Sequence, residues 1–277
     1  MAELKPVAVI TGASAGIGAA LAEIFAERGH DIVLIARRAP QLKALADRIA
    51  ERGKSRPHVM VVDLARPDAT ARIAEELRQA GLEPQYMVNN AGYGLLGAAA
   101  KLDRGEQLAM IDLNVRTTTD LSLRFMDSLA RRKGGILNVA SVASFLPGPG
   151  MAVYHATKAY VLSFSEALHH EMNGKVHVTV LCPGPVETEA AAITAATRMP
   201  ETECVPRLVE VATVTPALRE HAAATARGLV EGLRSAPTRG GVQALVRLPM
   251  LQRQRDAETC EISREGGQRM MQPPAAG

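Results

Sequence analysis

Three side chains with complementary acid–base chemistry stand near one another in the middle of this 277-residue chain: Ser141, Tyr154 and Lys158. Tyr154 and Lys158 are four residues apart. On an α-helix that spacing turns the chain by roughly 400° and raises it by about 6 Å, so both side chains share one face. A free tyrosine has a pKa of about 10 and is a poor base at neutral pH. A cation beside it favours the phenolate and lowers that value. A phenol so tuned can give or take a proton at a substrate oxygen, and a serine hydroxyl facing it can hydrogen-bond the same oxygen. Tyr-x-x-x-Lys also arises by chance, as a half-buried tyrosine beside a solvated lysine. The pair gains meaning only from its surroundings.

Those surroundings are an alternation of strand and helix patterns. Gly135 to Ala140 is a short apolar run that suits a buried strand, so Ser141 ends it. Ala159, Tyr160, Val161, Leu162, Phe164, Ala167 and Leu168 follow Tyr154 at helical spacing. Further strands are predicted at Val7 to Ile10, Asp31 to Ala36, His58 to Val62, Tyr86 to Val88 and Val176 to Leu181. Between them lie helical patterns from Ala19 to Gly29, Gln41 to Ile49, Asp68 to Gln79 and Arg104 to Arg131. The alternation predicts an α/β fold with a parallel sheet covered by helices on both faces. Such sheets bind ligands beyond the carboxyl ends of their strands.

The groups at those ends are suggestive. Between the first strand and helix stands Thr11-Gly12-Ala13-Ser14-Ala15-Gly16-Ile17-Gly18. Missing side chains let backbone N–H groups approach a pyrophosphate, and a helix N-terminus adds partial positive charge. The same loop could be only a tight turn. The second strand ends in Ala36-Arg37-Arg38, with no acid to hold a 2′-hydroxyl. A guanidinium there suits the 2′-phosphate of NADP; two solvated arginines are the plain alternative. Asp63 followed by Leu64 could edge and cover an adenine ring, or Asp63 could simply end the loop. Asn89-Asn90-Ala91-Gly92 suits a cofactor crevice or a turn. Asn114 interrupts the long helical pattern. A mid-helix asparagine faces solvent, marks a local bend, or positions a water. Cys182-Pro183-Gly184-Pro185 fixes a rigid turn after the last of these strands.

Composition narrows the classes. The chain is 47% apolar and 22% charged, as globular proteins are. A net charge of +3 is too small to argue for nucleic acid or an anionic membrane. Three scattered cysteines, with no Cys-x-x-Cys pair, argue against a disulfide framework or zinc site and fit a reducing compartment. Cys182 reads as a small buried hydrophobe. No signal-peptide pattern opens the chain and no run is apolar enough to span a membrane, so a cytoplasmic location is expected.

Together these motifs resemble the short-chain dehydrogenase/reductase family. The resemblance covers about residues 5 to 190 and rests on Thr11-Gly12-x-x-x-Gly16-x-Gly18, Asn89-Asn90-Ala91-Gly92, Asn114, Ser141, Tyr154-x-x-x-Lys158 and Pro183-Gly184, in order and at the family's spacing. It implies a single Rossmann-type domain, about residues 1–250, with a seven-stranded sheet of order 3-2-1-4-5-6-7. It implies Tyr154 as proton donor or acceptor, Ser141 at the same oxygen, Lys158 on the nicotinamide ribose, and Asn114 holding a relay water. Thr11, Gly12, Ser14, Gly16, Ile17 and Gly18 would line the pyrophosphate, with Arg37 on the 2′-phosphate and Asp63 and Leu64 by adenine. Asn89 and Ala91 would flank adenosine and ribose. Pro183 would also line the cofactor, and Val186 and Thr188 would orient the carboxamide.

The expected activity is NADP-dependent hydride transfer, with NAD less suited, on a small-molecule ketone or secondary alcohol. Apolar Tyr93 to Leu96 and Met151 to Val153 suggest an apolar carbon skeleton. Pro147 to Gly150 and His155 are possible substrate neighbours, although an ordinary helix position is the simpler reading of His155. A homodimer or homotetramer is expected, with no metal and no nucleic acid. A lid from Ala190, a last strand at 241–248 and a poorly ordered tail at 251–277 are also expected. A dinucleotide-binding regulator of the same fold is the alternative, and a nucleoside-diphosphate-sugar epimerase shares Tyr-x-x-x-Lys.

Overall fold

In a computed structural model of the chain, residues 4–184 are described. The expected lid, the strand at 241–248, the tail at 251–277, Val186 and Thr188 lie outside the described residues.

Strands β1 (Lys5–Thr11), β2 (Ile32–Ala36), β3 (His58–Val61), β4 (Leu82–Asn89), β5 (Gly135–Val139) and β6 (His177–Leu181) form one sheet of order β3-β2-β1-β4-β5-β6. Every pairing is parallel. Helices α1 (Gly16–Glu27), α2 (Ala39–Glu51), α3 (Ala69–Gln79), α4 (Arg104–Ile111), α5 (Thr118–Arg124), α6 (Met126–Arg131) and α7 (Ala152–Met172) connect them. This is a Rossmann-type doubly wound sheet, with six of the expected seven strands among the described residues.

The strands are apolar without interruption because neighbouring residues point to opposite, equally covered faces. Ile10, Leu34 and Val88 pack with Phe25, Leu42, Leu45 and Ile49 of α1 and α2. Val9, Ile35 and Met87 pack instead with Ile73, Leu77, Leu121 and Leu129 of α3, α5 and α6.

Strand β4 begins four residues earlier than its apolar run, at Leu82 rather than Tyr86. Pro84 hides this, since it lacks a backbone donor. The sheet absorbs it by an irregularity: Val7 pairs with Pro84 but Ala8 with Tyr86, leaving Gln85 as the extra residue.

The long pattern from Arg104 to Arg131 is one helical path with two faults. Asp112–Thr117 is a π-helical segment, and Phe125 leaves helical geometry between α5 and α6. Asn114 sits inside the π segment and is buried. It marks a local bend and does not face solvent.

A polar ladder crosses the sheet beneath the site. Asn89 Nδ2 donates to Ser122 Oγ at 3.0 Å and to Asn138 Oδ1 at 2.8 Å. Asn138 Nδ2 donates to Ser165 Oγ at 2.9 Å. It joins α5, β4, β5 and α7 in a region where an unmet amide is costly. Replacing Asn138 with Ala strands the Asn89 donor and the Ser165 acceptor. We expect a loss of about 2–3 kcal/mol in urea unfolding with an unchanged m-value.

Candidate active site

The strand order runs outward in both directions from β1 and β4, and the crevice at this switch point is where the loops separate. The glycine loop enters it from β1. Gly12 and Gly16 take positive φ of 65° and 56°. A Cβ on Gly18 would fall 2.4 Å from Gly12 O and 2.5 Å from Asn90 Nδ2, so only glycine fits. No side chain caps the N-terminus of α1, whose leading N–H groups face this loop.

Asn90, which the sequence reading assigned no role, shapes that loop. Its Nδ2 donates to Thr11 O at 2.9 Å and Gly12 O at 3.3 Å. Thr11 Oγ1 donates to Val88 O at 3.1 Å and accepts from the N–H groups of Asn90 and Ala91 at 3.0 and 3.1 Å. Thr11 is buried, and its hydroxyl clips β1 to β4. Asn89 is buried with its Nδ2 committed to the polar ladder, while its Oδ1 has no hydrogen-bond partner among the described residues. Ala91 packs on the core below the crevice. The signal for Asn90 was its place in the Asn-Asn-Ala-Gly run, but spacing alone does not separate the two amides.

Beyond β2, Arg38 Nε and Nη2 both donate to Ser14 Oγ, at 3.2 and 3.1 Å. Arg37, the residue expected on a 2′-phosphate, is exposed at the same tip. Asp63 is exposed at the end of the next strand and accepts from the Ala65 N–H at 3.2 Å. Leu64, expected beside the adenine, turns its side chain inward. Its side chain is buried in the core and its carbonyl is held by Thr117 Oγ1 at 2.8 Å. The leucine follows the strand parity into the interior.

The groups expected to transfer the proton lie on the other side. Lys158 is buried, and its Nζ donates to Val139 O, the last carbonyl of β5, at 2.8 Å. It stands 5.9 Å from the centre of the Tyr154 ring. Burial disfavours the charged ammonium and lowers its pKa to about 8. A Cβ on Gly92 would lie 2.9 Å from Asn114 Oδ1 and 3.5 Å from Lys158 Nζ, and one on Gly94 would lie 2.9 Å from the Tyr154 ring. The loop after β4 therefore threads between Asn114, Lys158 and Tyr154. Ser141 follows β5 directly, and its Oγ accepts from the Ala143 N–H at 3.1 Å, capping the 3₁₀ turn Val142–Phe145. Ser144 Oγ donates to Lys158 O at 2.8 Å, tying that turn to α7.

Asn114 acts as a staple. Its Nδ2 donates to Tyr93 O at 2.9 Å and Thr157 Oγ1 at 3.0 Å, while its Oδ1 accepts from Tyr93 N–H at 3.2 Å. The side chain fixes the π segment against the β4 loop and α7. Tyr93 offers no second acid. Its hydroxyl donates to Glu106 O at 3.0 Å, and burial, with the Glu106 charge, raises its pKa. Burial pushes the Cys182 thiol up to about 11, which leaves it an inert filler. Pro183 O accepts from Val142 N–H at 3.0 Å, locking the post-β6 turn to the serine segment. No cluster of His, Cys, Asp and Glu able to hold a metal occurs among the described residues.

A family model, short chain dehydrogenase, matches residues 6–218. The chain belongs to that family. It is 34% identical over 190 residues to sulfoacetaldehyde reductase 2 of Chromohalobacter salexigens, covering 67% of this chain and 75% of the relative. It is 33% identical over 186 residues to 11-beta-hydroxysteroid dehydrogenase of Pinus massoniana, covering 66% of this chain but only 52% of that protein. Among solved structures, a short-chain dehydrogenase from Sphingobium yanoikuyae in complex with NADPH superposes with a TM-score of 0.70 at 31% identity, covering 95% of this chain and 98% of that one.

The buried ammonium yields a testable sign. An unfolded lysine titrates near 10.5 and the folded one near 8, so between those values the unfolded chain binds more protons and stability rises with pH. Below pH 8 the burial cost, on the order of 3 kcal/mol, is present in full. Lys158→Met should therefore be more stable than the parent at pH 7, and the gap should close as pH approaches 10.5. Thermal melts of both proteins across that range check it.

Proposed function

We propose that this protein is an NADP-dependent oxidoreductase that transfers a hydride between the nicotinamide and a ketone or secondary alcohol on an apolar carbon skeleton. One observation carries the reading: a buried ammonium, anchored on the end of β5, lies beside the phenol ring of Tyr154 at the switch-point edge of the sheet. Holding a cation out of water is costly, which fits a chemical use for Lys158. The glycine cradle and uncapped α1 suit a pyrophosphate, and the Ser14–Arg38 pair with Arg37 suits a further phosphate. Bound there, the nicotinamide would supply or take the hydride.

The residues divide the remaining work. Tyr154 moves a proton at the substrate oxygen, and Ser141 donates a hydrogen bond to that oxygen. Lys158, anchored on the end of β5 beside the Tyr154 ring, holds the ribose end of the cofactor. Asn114 and Asn90 keep the β4 loop and glycine loop in register. Val186 and Thr188 stay assigned to the carboxamide by family resemblance alone.

NADPH oxidation with simple ketones, followed by loss of nicotinamide absorbance, tests the proposal. Tyr154→Phe should lower turnover by at least about 100-fold, while NADPH affinity measured by fluorescence stays within roughly threefold. Wild-type turnover in that variant would overturn the assignment. Arg38→Leu should raise the KM for NADPH about 10- to 100-fold and leave that for NADH unmoved, as loss of a charge-assisted phosphate contact requires.

Self-association is part of the reading. Leu123 is 54% exposed, one turn beyond Thr119 on α5. Thr119 Oγ1 hydrogen-bonds Tyr160 Oη at 2.9 Å, and the Tyr160 ring stacks on Phe164 of α7 at 5.8 Å. Leu108 and Ile111 of α4 are also exposed. This apolar face suits a second copy of the chain in a homodimer or homotetramer. Light scattering should show a dimer or larger for the parent and a shift toward monomer for Leu123→Glu. No helix among the described residues is long and apolar enough to cross a membrane. A reducing, cytoplasmic setting agrees with the free thiol of Cys182.

A further inference from the structure

The segment Phe145–Gly150 runs from the serine turn to the start of α7 and reads Phe-Leu-Pro-Gly-Pro-Gly. Its prolines have no N–H and cannot hold it in place by donating. It is held from outside at three points. The Met151 N–H donates to Gly148 O at 2.9 Å, and the Gly97 N–H donates to Gly150 O at 2.7 Å. The third point is a side chain: His155 Nδ1 lies 2.7 Å from Leu146 O. A carbonyl oxygen only accepts, so Nδ1 carries the proton and donates.

The imidazole is also the surface on which the segment folds. A Cβ on Gly148 would fall 2.2 Å from His155 Cδ2, so the backbone lies flat against the ring and no other residue fits there. The same ring meets Tyr154 edge to face, with centroids 6.1 Å apart and planes at 79°. The segment carries Leu146, 53% exposed, and begins at Phe145, 37% exposed, which ends the same 3₁₀ turn that Ser141 caps. Apolar side chains held at fixed positions next to the serine turn are suited to wall a substrate's carbons.

We propose that His155 is a positioning residue that fixes this wall and so governs which carbon skeletons the site accepts. The proposal rests on the oxidoreductase reading above. His155 does not touch the transferred hydride or proton. It holds the carbonyl of Leu146 and the plane of Gly148, and the wall follows.

The experiment compares the full chain with His155→Ala, His155→Asn and Gly148→Ala, using NADPH with butan-2-one and with acetophenone. In His155→Ala the ratio of kcat/KM for acetophenone to that for butan-2-one should fall about tenfold, the effect of one lost positioning hydrogen bond. The KM for NADPH should not move. His155→Asn places an amide N–H near the Nδ1 position and should restore most of the ratio, whereas Gly148→Ala should lower it. Hydrogen exchange gives a readout independent of turnover: amides between Leu146 and Met151 should exchange about tenfold faster in His155→Ala. An equal loss on both ketones, or unchanged exchange in this segment, would overturn the proposal. If the parent protein reduces neither ketone, the oxidoreductase reading fails first, and the exchange comparison still decides whether His155 clamps the segment.

Discussion

The site depends on one hydrogen bond between an ammonium and a strand end. Lys158 Nζ reaches from α7 to the last carbonyl of β5. A cation this deep needs an acceptor, and the end of a parallel strand offers a carbonyl without a strand partner beyond it. Answering the desolvation also sets distances. Ser141 lies two residues past Val139, and Tyr154 lies one helical turn before Lys158. One contact therefore sets the spacing between the serine strand end and the tyrosine helix. Ser144, bonding back to the carbonyl of Lys158, doubles the tie.

The opposite side of the crevice is built on the same principle with neutral groups. Thr11 and Asn90 use side-chain hydrogen bonds to hold backbone that has left the sheet ladder. Loops at strand ends carry unpaired N–H and C=O groups, and buried ones must be satisfied. Asn114 does the same for the π segment, where an extra residue per turn leaves the backbone pattern out of step. Thr11 and Asn114, which family resemblance assigns to cofactor or water contact, also shape the loops around them. A loop of small residues can be held rigid only from outside, since it lacks side chains of its own to pack.

Most of the architecture was legible because a doubly covered parallel sheet writes itself as short apolar runs. Val7 to Ile10, Asp31 to Ala36 and His58 to Val62 each fall on an observed strand. The places of Tyr154 and Lys158 on one helix, and of Ser141 just past a strand, were legible from the spacing and from the apolar run before Ser141. What escaped was whatever depends on side-chain direction. Leu64 follows strand parity inward, while Asp63 beside it stays at the rim. Asn89 points into the sheet and Asn90 over the glycine loop, although the two are the same residue type. Arg38, not Arg37, bends back to Ser14. The start of β4 was masked by Pro84, whose missing donor the sheet tolerates only through a register fault.

The two curated relatives described above share a fold and differ in what their names say they reduce or oxidise: a small sulfonated aldehyde for one, a steroid for the other. A common catalytic unit serving such unlike molecules requires that recognition sit on parts that vary without moving the proton-transfer groups. The geometry here permits that separation. Ser141, Tyr154 and Lys158 are fixed to β5 and α7 by buried bonds, and those elements pack into the core. The Phe145–Gly150 segment hangs on contacts at its own edge, with its apolar side chains outward. Changing Phe145 or Leu146 would alter the wall at little cost to the core, because neither belongs to the buried clusters. Changing Lys158 would remove the proposed chemistry whatever it did to stability, so the constraint that makes the reaction possible confines variation to the surface around it.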